Sequence, residues 1–150
     1  APGIARIQRS LALLRDLVPA WRTTLALIDL ALAHFLAGDP VAVDQIVHNL
    51  LMNALQSMDA IDPPTRALTL TTRRDGGRGE LAVADRGPGI AAEALPRLFE
   101  PFFSTREGGL GLGLSLCETL AQGMGGSLAA ANRQGGGAVF TLRLPLMDAP

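Results

Sequence analysis

The feature that most constrains the fold of this 150-residue chain is one long amphipathic helix, predicted over Val41–Met58. Its apolar positions recur about every 3.6 residues and form a continuous stripe: Val43, Ile46, Val47, Leu50, Leu51, Ala54, Leu55 and Met58. A helix with such a stripe buries it against a second layer of secondary structure. The other face carries Gln45, Asn49 and Asn53 at i, i+4 and i+8, so three amides lie in one row. The row is either an ordinary polar surface or a set of ligands for a hard cation and for phosphate.

Alternating apolar and polar residues predict strands on both sides of this helix. The predicted strands are one or two within Thr23–Leu36, then Arg66–Arg73, Glu80–Ala84, Ser127–Ala131 and Ala138–Leu144. Further helices are predicted at Ile4–Leu17, at Ala92–Leu98 and at Leu112–Met124. The turn Asp75-Gly76-Gly77 is expected to join two of the strands as a hairpin. Together the elements predict an α+β fold, a two-layer α/β sandwich with a mixed sheet of about five strands and helices on one face.

The composition excludes several chemistries. All thirteen basic residues are arginine, so the lysine of a Walker P-loop, of a eukaryotic-type protein kinase or of a Schiff base is missing. A net charge of −1 gives no electrostatic footprint for nucleic acid. Cys117 is the single cysteine, which excludes an internal disulfide and a multi-cysteine metal site. Within its apolar helical run we expect a buried, inert thiol.

The longest apolar stretch, Leu25–Ala37, is interrupted by Asp29 and His34. It falls short of the roughly 20 residues that cross a bilayer, and no signal peptide is recognisable. The sequence therefore predicts a cytoplasmic domain without direct membrane contact, whose parent protein can still be membrane-anchored.

The segment Asp85-Arg86-Gly87-Pro88-Gly89-Ile90 directly follows a predicted strand and is expected to form a turn. Two glycines let its backbone approach a ligand closely. A carboxylate only accepts hydrogen bonds, so Asp85 can receive an amine such as the exocyclic amine of adenine. A plain Asp-Gly surface turn is also compatible with these residues alone.

Two adjacent segments have the composition of a lid and an anion site. Leu98–Arg106 holds three of the five phenylalanines, which can anchor a lid over a nucleotide or pack singly in the core. Gly108–Leu114 alternates glycine and leucine and enters a helix near Leu112, where N–H groups can bind phosphates; a flexible surface loop is the alternative. The spacing G-x-G-x-x-G is absent from the chain, which disfavours a dinucleotide fold.

In this order the four segments resemble the ATP-binding catalytic domain (HATPase_c) of bacterial sensor histidine kinases, within the GHKL superfamily. Asn49–Ala54 looks like the N box, Asp85–Gly89 the first glycine box, Phe99–Arg106 the F box and Gly109–Leu114 the second glycine box. Gly125-Gly126 and the closing segment Ala138–Pro145 complete a resemblance that runs from about Asp39 to Pro145. It implies a Bergerat-type sandwich in which ATP lies between the N-box helix, the first glycine box and the lid.

The resemblance also implies a role for each matched residue. Asn49 and Asn53 would hold Mg²⁺ and phosphate oxygens, and Arg106, which stands where the family usually has lysine, would bind phosphate. Asp85 would accept the adenine amine. The other implied nucleotide contacts are Gly87, Gly89, Ile90, Phe99, Phe103, Ser104, Thr105, Gly109, Leu110, Gly111, Leu112, Gly113 and Leu114. Arg86 and Ala138 stand where the family often has Asn and Thr or Ser.

The implied activity is transfer of the γ-phosphate of ATP to a histidine on the dimerisation domain of a parent sensor kinase, which then feeds a response regulator. Neither His34 nor His48 precedes the Glu or Asp of the phosphoacceptor motif, so we expect the acceptor outside this chain. The implied partners are the dimerisation domain of a homodimeric parent and the response regulator. We expect residues 1–20 to be the tail of that domain, 21–146 the catalytic domain and 147–150 a C-terminal tail.

Three other functions are open to the same fold. A clamp ATPase of the gyrase B, heat-shock chaperone or MutL type would place a glutamate base four residues before Asn53, where Asn49 stands. An anti-sigma-factor serine kinase would lack the F box. A non-catalytic nucleotide-binding module would act through conformation alone.

Overall fold

The computed structural model describes residues 22–25, 39–105 and 108–146. Within these residues there are two α-helices, α1 (Pro40–Ser57) and α2 (Gly113–Gly123). The same residues form five strands, β1 (Arg22–Leu25), β2 (Ala67–Asp75), β3 (Arg78–Asp85), β4 (Ser127–Asn132) and β5 (Ala138–Pro145). The predicted helix at 4–17, the tails at 1–20 and 147–150, and His34 lie outside the described residues.

Helix α1 begins where the sequence gives it a cap. The Asp39 carboxylate accepts a 2.9 Å hydrogen bond from the Val41 N–H, and Pro40 occupies the first helical position, where no N–H is needed. The helix runs for 18 residues and ends at Ser57, with Met58 as its C-cap. Its apolar stripe is buried except for Leu55, which is half-buried, and Ile46 and Leu50 are both 0% exposed.

The sheet has the strand order β1-β2-β3-β5-β4. Strand β1 runs parallel to β2, and the other neighbours pair antiparallel, so the predicted mixed sheet is confirmed. Strands β2 and β3 form the predicted hairpin, but Asp75 pairs with Arg78 and belongs to β2. The turn itself is therefore the two residues Gly76-Gly77, with Gly76 at a φ of +60°.

Both described helices pack on one face of this sheet, as predicted. Alternate residues of β5 point into the core, where Phe140 and Leu142 are buried with Leu50 of α1 and Ala121 of α2. This two-layer arrangement places the C-terminal end of β3 next to α1. Among the described helices, neither has the length and apolarity of a membrane span.

The opposite face of the sheet carries an ion cluster. Glu80 on β3 is only 6% exposed and forms salt bridges with Arg73 on β2 and with Arg143 on β5. Hydrogen bonds from Arg73 and then Arg143 hold the pKa of Glu80 below its usual range, and Glu80 raises the pKa of Arg73. The cluster joins the three central strands away from the helices.

The predicted helix at Ala92–Leu98 is wrong in type and length. The chain forms a 3₁₀ turn at Leu95–Arg97 instead, preceded by turns held by hydrogen bonds to the Ala91 carbonyl. Pro96 is the physical reason, because it lacks the N–H that an α-helix would donate to Ala92.

Candidate functional site

A cleft of about 1100 Å³ lies between α1, the end of β3 and the glycine-rich segment that leads into α2. Most of the residues predicted from sequence line it: Asn49, Asn53, Asp85, Gly89, Ile90, Phe103, Ser104, Thr105, Gly109, Leu110, Gly111, Leu112, Gly113 and Leu114. Gly87 and Phe99 do not line it, and Arg106 lies outside the described residues. The structure therefore brings the four sequence segments to one cavity, large enough for a nucleotide.

Asp85 is the last residue of β3 and only 1% of it is exposed. Its Oδ1 accepts hydrogen bonds from the Gly87 N–H at 2.8 Å and from the Ala138 N–H at 3.3 Å. These two bonds fix the carboxylate and occupy one of its oxygens. The second oxygen is the acceptor that remains for a ligand in the cleft.

The backbone around Asp85 is packed too closely for side chains. At Gly137, which has a φ of +88°, an added Cβ would lie 1.9 Å from the Asp85 carbonyl oxygen. At Gly87 it would lie 2.8 Å from Ser57 Oγ at the end of α1. The Arg133 guanidinium donates to the Asp85 carbonyl at 2.9 Å. Because Gly87 touches Ser57, the Asp85 end of the cleft lies at the C-terminal end of α1.

Asn132 clamps the loop that follows Asp85. Its Oδ1 accepts from the Ile90 N–H at 2.7 Å, and its Nδ2 donates to the Ile90 carbonyl at 2.8 Å. One side chain thus satisfies both backbone groups of Ile90. An added Cβ on Gly89 would lie 2.8 Å from Asn132 Oδ1, so the clamp also requires glycine at that position.

The two asparagines of α1 line the cleft one and two turns before Ser57. Asn49 and Asn53 are half-buried, and Asn49 Nδ2 donates to the Cys117 Sγ of α2 at 3.4 Å. Cys117 is 0% exposed, which confirms the predicted buried thiol. Burial raises the pKa of Cys117, and the hydrogen bond from Asn49 partly opposes that shift. Asn49 is therefore tied to the second helix rather than lying on a free surface.

The residues before α2 form a folded rim to the cleft. The Phe102 N–H donates to the Gly111 carbonyl at 2.9 Å, and the Arg97 guanidinium lies 4.4 Å from the centre of the Phe103 ring. Gly111 has a φ of +70°, and an added Cβ there would lie 2.5 Å from the carbonyl carbon of Phe102. Phe102 has a φ of +67°, unusual for a bulky residue, and is 78% exposed. Phe99, by contrast, packs against the core.

Helix α2 begins at the cleft with its first turn uncapped. Leu112 is the N-cap and makes no side-chain capping bond, while Leu112, Gly113 and Leu114 all line the cavity. The first N–H groups of a helix have no partner within the helix and carry a partial positive charge. This end of the cleft, next to Asn49, is therefore suited to phosphate.

Several cleft residues are not among the nucleotide contacts predicted from sequence, although Pro88, Leu98 and Gly108 lie within the predicted segments. They are Met52, Gln56, Ser57, Asp59, Pro88, Ala91, Leu98, Gly108, Ala138 and Phe140. Met52 and Gln56 were detectable, because they lie within one turn of Asn49 and Asn53 on α1. Ala138 and Phe140 enter the site only because β5 pairs with β3. No local signal in the sequence indicates that pairing.

Comparisons with known proteins agree with this geometry. The family model described as histidine kinase-, DNA gyrase B-, and HSP90-like ATPase (HATPase_c) matches residues 38–148. The sensor histidine kinase RcsC of Escherichia coli K12 is 39% identical over 120 residues, which are 76% of this chain and 12% of that protein. The sensor protein TorS of the same strain is 42% identical over 113 residues, 74% of this chain and 12% of TorS. The chain thus spans about an eighth of the length of these relatives.

Solved structures show the same fold. The mycobacterial sensor histidine kinase MprB is 26% identical with a TM-score of 0.73, covering 95% of this chain and 93% of that one. Full-length ShkA in complex with AMPPNP is 27% identical with a TM-score of 0.73, covering 97% of this chain and 30% of ShkA. The resemblance predicted from four short boxes is confirmed: the chain belongs to the family of histidine kinase-, DNA gyrase B- and HSP90-like ATPases.

Proposed function

We propose that this chain is the ATP-binding catalytic domain of a sensor histidine kinase, which positions Mg-ATP so that its γ-phosphate passes to a histidine on the parent's dimerisation domain. The observation that carries the proposal is the amide of Asn49 in the cleft, where a hydrolase of this family would need a carboxylate base. An amide does not take a proton from water. Positioning and charge neutralisation are then the main tasks of the site, as in phosphoryl transfer generally.

The middle and the C-terminal end of α1 orient the nucleotide in this proposal. Asp85 lies against the end of α1 near Ser57, and Asn49 lies near the start of α2. Eight residues of helix separate Asn49 from Ser57, or about 12 Å at 1.5 Å per residue. The adenine amine would meet the free oxygen of Asp85, and the phosphates would reach the N–H groups of α2. Phe103, Ser104 and Thr105, with Arg106, would close over them.

The cleft carboxylates support kinase over hydrolase chemistry. Among the described cleft residues they are Asp85 and Asp59. Asp85 is held by two backbone N–H groups, and Asp59 follows the C-terminal end of α1, at the adenine end. Neither lies at the phosphate end, where a base would have to activate water.

Magnesium fits this donor set. The described residues contain no group of three or more His, Cys, Asp or Glu side chains that could hold an ion, so amide oxygens are the protein ligands on offer. Mg²⁺ commonly takes one or two protein ligands and completes its shell with waters and substrate phosphates. Asn49 and Asn53 would hold the ion, and it would neutralise charge on the phosphates when bound.

The proposed partners follow from the proposed reaction. They are the dimerisation and phosphoacceptor domain of a homodimeric parent and a downstream response regulator, with no nucleic acid and no direct membrane contact. We propose a cytoplasmic position for the domain, with 21–146 as the catalytic unit and 1–20 and 147–150 as flanking segments. The net charge of −1 supports the exclusion of nucleic acid.

The test is a phosphotransfer assay with the full-length parent protein and labelled ATP. We expect an acid-labile phosphoryl group on a histidine outside this chain, lost when that histidine is replaced by alanine. Rapid multiple-turnover hydrolysis in that acceptor-less variant would favour the clamp ATPase instead. Binding of Mg-ATP without any transfer would favour the non-catalytic module.

A further inference from the structure

We propose that Cys117 is a positioning residue, which holds the Asn49 carboxamide with its oxygen toward the cleft and so sets how strongly magnesium supports nucleotide binding. The inference rests on the proposed function, since it concerns the residues that would face the metal. Its starting point is the contact between α1 and α2, where Asn49 Nδ2 lies 3.4 Å from Cys117 Sγ.

The hydrogen bonds of the thiol determine which way the amide faces. Cys117 Sγ lies 4.0 Å from the Ile46 carbonyl oxygen, one turn before Asn49 on α1. A thiol has one hydrogen, and a carbonyl can only accept it. Once that hydrogen points at Ile46, the sulfur can only accept from Asn49. The amide nitrogen therefore faces sulfur, and Oδ1 is the end left for the cleft.

The opposite amide orientation is unfavourable at this position. Turning the carboxamide over would set Oδ1 against the lone pairs of a sulfur that is 0% exposed, and would present N–H groups to a cation. The side chain of asparagine has a broad terminal torsion with no strong preference of its own. The preference must therefore come from a neighbour, and in the described residues Cys117 is the hydrogen-bond partner that Asn49 has.

Removing the acceptor should reverse this preference. In Cys117→Val, which replaces the sulfur by two methyl groups, an Nδ2 that faced the valine would be an unsatisfied donor, and the amide would turn its nitrogen toward water in the cleft. Only the fraction with oxygen toward the cleft can bind the ion, so the apparent affinity is proportional to that fraction. We expect the magnesium-dependent gain in ATP affinity to fall about tenfold. Cys117→Ser keeps an acceptor and should retain most of the gain.

The experiment measures the dissociation constant of ATP with excess Mg²⁺ and again with EDTA, for the wild-type, Cys117→Val and Cys117→Ser proteins. A general packing defect would weaken ATP binding equally with Mg²⁺ and with EDTA. Loss of the Asn49 orientation would weaken ATP binding only with Mg²⁺. Asn49→Ala provides the control background: adding Cys117→Val to it should not change the ratio of the two constants further. If Cys117→Val does not fold, Cys117→Ala removes the same acceptor.

A second readout needs neither metal nor nucleotide. In the wild-type protein without ligand, the Asn49 Nδ2 protons should exchange with solvent more slowly than those of exposed Gln45, and Cys117→Val should abolish that protection. An unchanged ratio of dissociation constants together with unchanged exchange in Cys117→Val would overturn the inference. If the wild-type protein itself binds no ATP, the proposed function fails instead, so the two failures are distinguishable.

Discussion

Replacing Asp85 with asparagine tests the adenine end of the cleft most directly. In the wild-type protein Asp85 Oδ1 accepts from the Gly87 and Ala138 N–H groups at 2.8 and 3.3 Å. An asparagine would keep its single oxygen on those two donors. Its Nδ2 would then stand in the place of the free carboxylate oxygen, so that a donor meets the donating amine of adenine.

The expected loss combines two effects. A hydrogen bond to a charged group contributes about 1.5–3 kcal/mol, and leaving a buried donor unsatisfied costs about 1–3 kcal/mol. A total near 3 kcal/mol corresponds to about a hundredfold weaker ATP binding, since about 1.4 kcal/mol is tenfold. The fold should survive, because both backbone bonds to Oδ1 are kept. Asp85→Ala loses those bonds too and should unfold at clearly lower denaturant concentration.

The assay is a titration with ATP and with inosine triphosphate, whose base carries a carbonyl oxygen in place of the amine. The wild-type protein should prefer ATP. Asp85→Asn should prefer the inosine nucleotide, because its Nδ2 can donate to that carbonyl. Wild-type affinity for ATP in a folded Asp85→Asn protein, or equal loss for both nucleotides, would refute the orientation assigned to this carboxylate.

Three further predictions concern stability and loop position. Gly137→Ala should lower the free energy of unfolding well beyond Gly135→Ala: both have a φ near +90°, but only Gly137 would place a Cβ 1.9 Å from a carbonyl oxygen of Asp85. Equal denaturation midpoints would contradict this. The pKa of Glu80 is lowered in the folded protein, so the unfolded chain binds more protons at this carboxylate. The stability that ionised Glu80 contributes is therefore present above the unfolded pKa of about 4.3 and is lost as pH falls toward the folded pKa. Unfolding curves of Glu80→Gln should therefore vary less with pH below 5, and an unaltered pH profile would count against the cluster. Asn132→Ala removes the two hydrogen bonds to Ile90 and should weaken nucleotide binding by about tenfold. Unchanged affinity would show that the loop after Asp85 holds its position without Asn132.

Much of the fold could be predicted from local signals. The apolar stripe defined α1 to within a residue at each end, and the glycine pair marked the hairpin. Asp85 follows a run of alternating residues, which predicted its position at a strand end. In the structure Asp85 is the last residue of β3. The parallel pairing of β1 with β2 and the insertion of β5 between β3 and β4 depend on contacts between distant segments, which carry no local signature.

The same division holds for the site. Asn49 and Asp85 were identified from motifs, whereas the residues that hold them were not. Cys117 was predicted to be inert, because its helical pattern indicates burial but does not show that Asn49 is its neighbour. Asn132 lies at the end of a strand and has no distinguishing feature in the sequence. A side chain that acts by holding another residue is recognised from contacts in the folded structure, not from the spacing of residues in the sequence.

Four of the hydrogen bonds that hold the site join distant parts of the chain, and this has a kinetic consequence. The sequence separations are 68 residues for Asn49 and Cys117, 53 for Ala138 and Asp85, 48 for Arg133 and Asp85, and 42 for Ile90 and Asn132. Closing such loops costs entropy before any contact repays it, so the cleft forms late in folding, after the hairpin. A nucleotide that binds only the finished cleft should then slow unfolding without accelerating refolding.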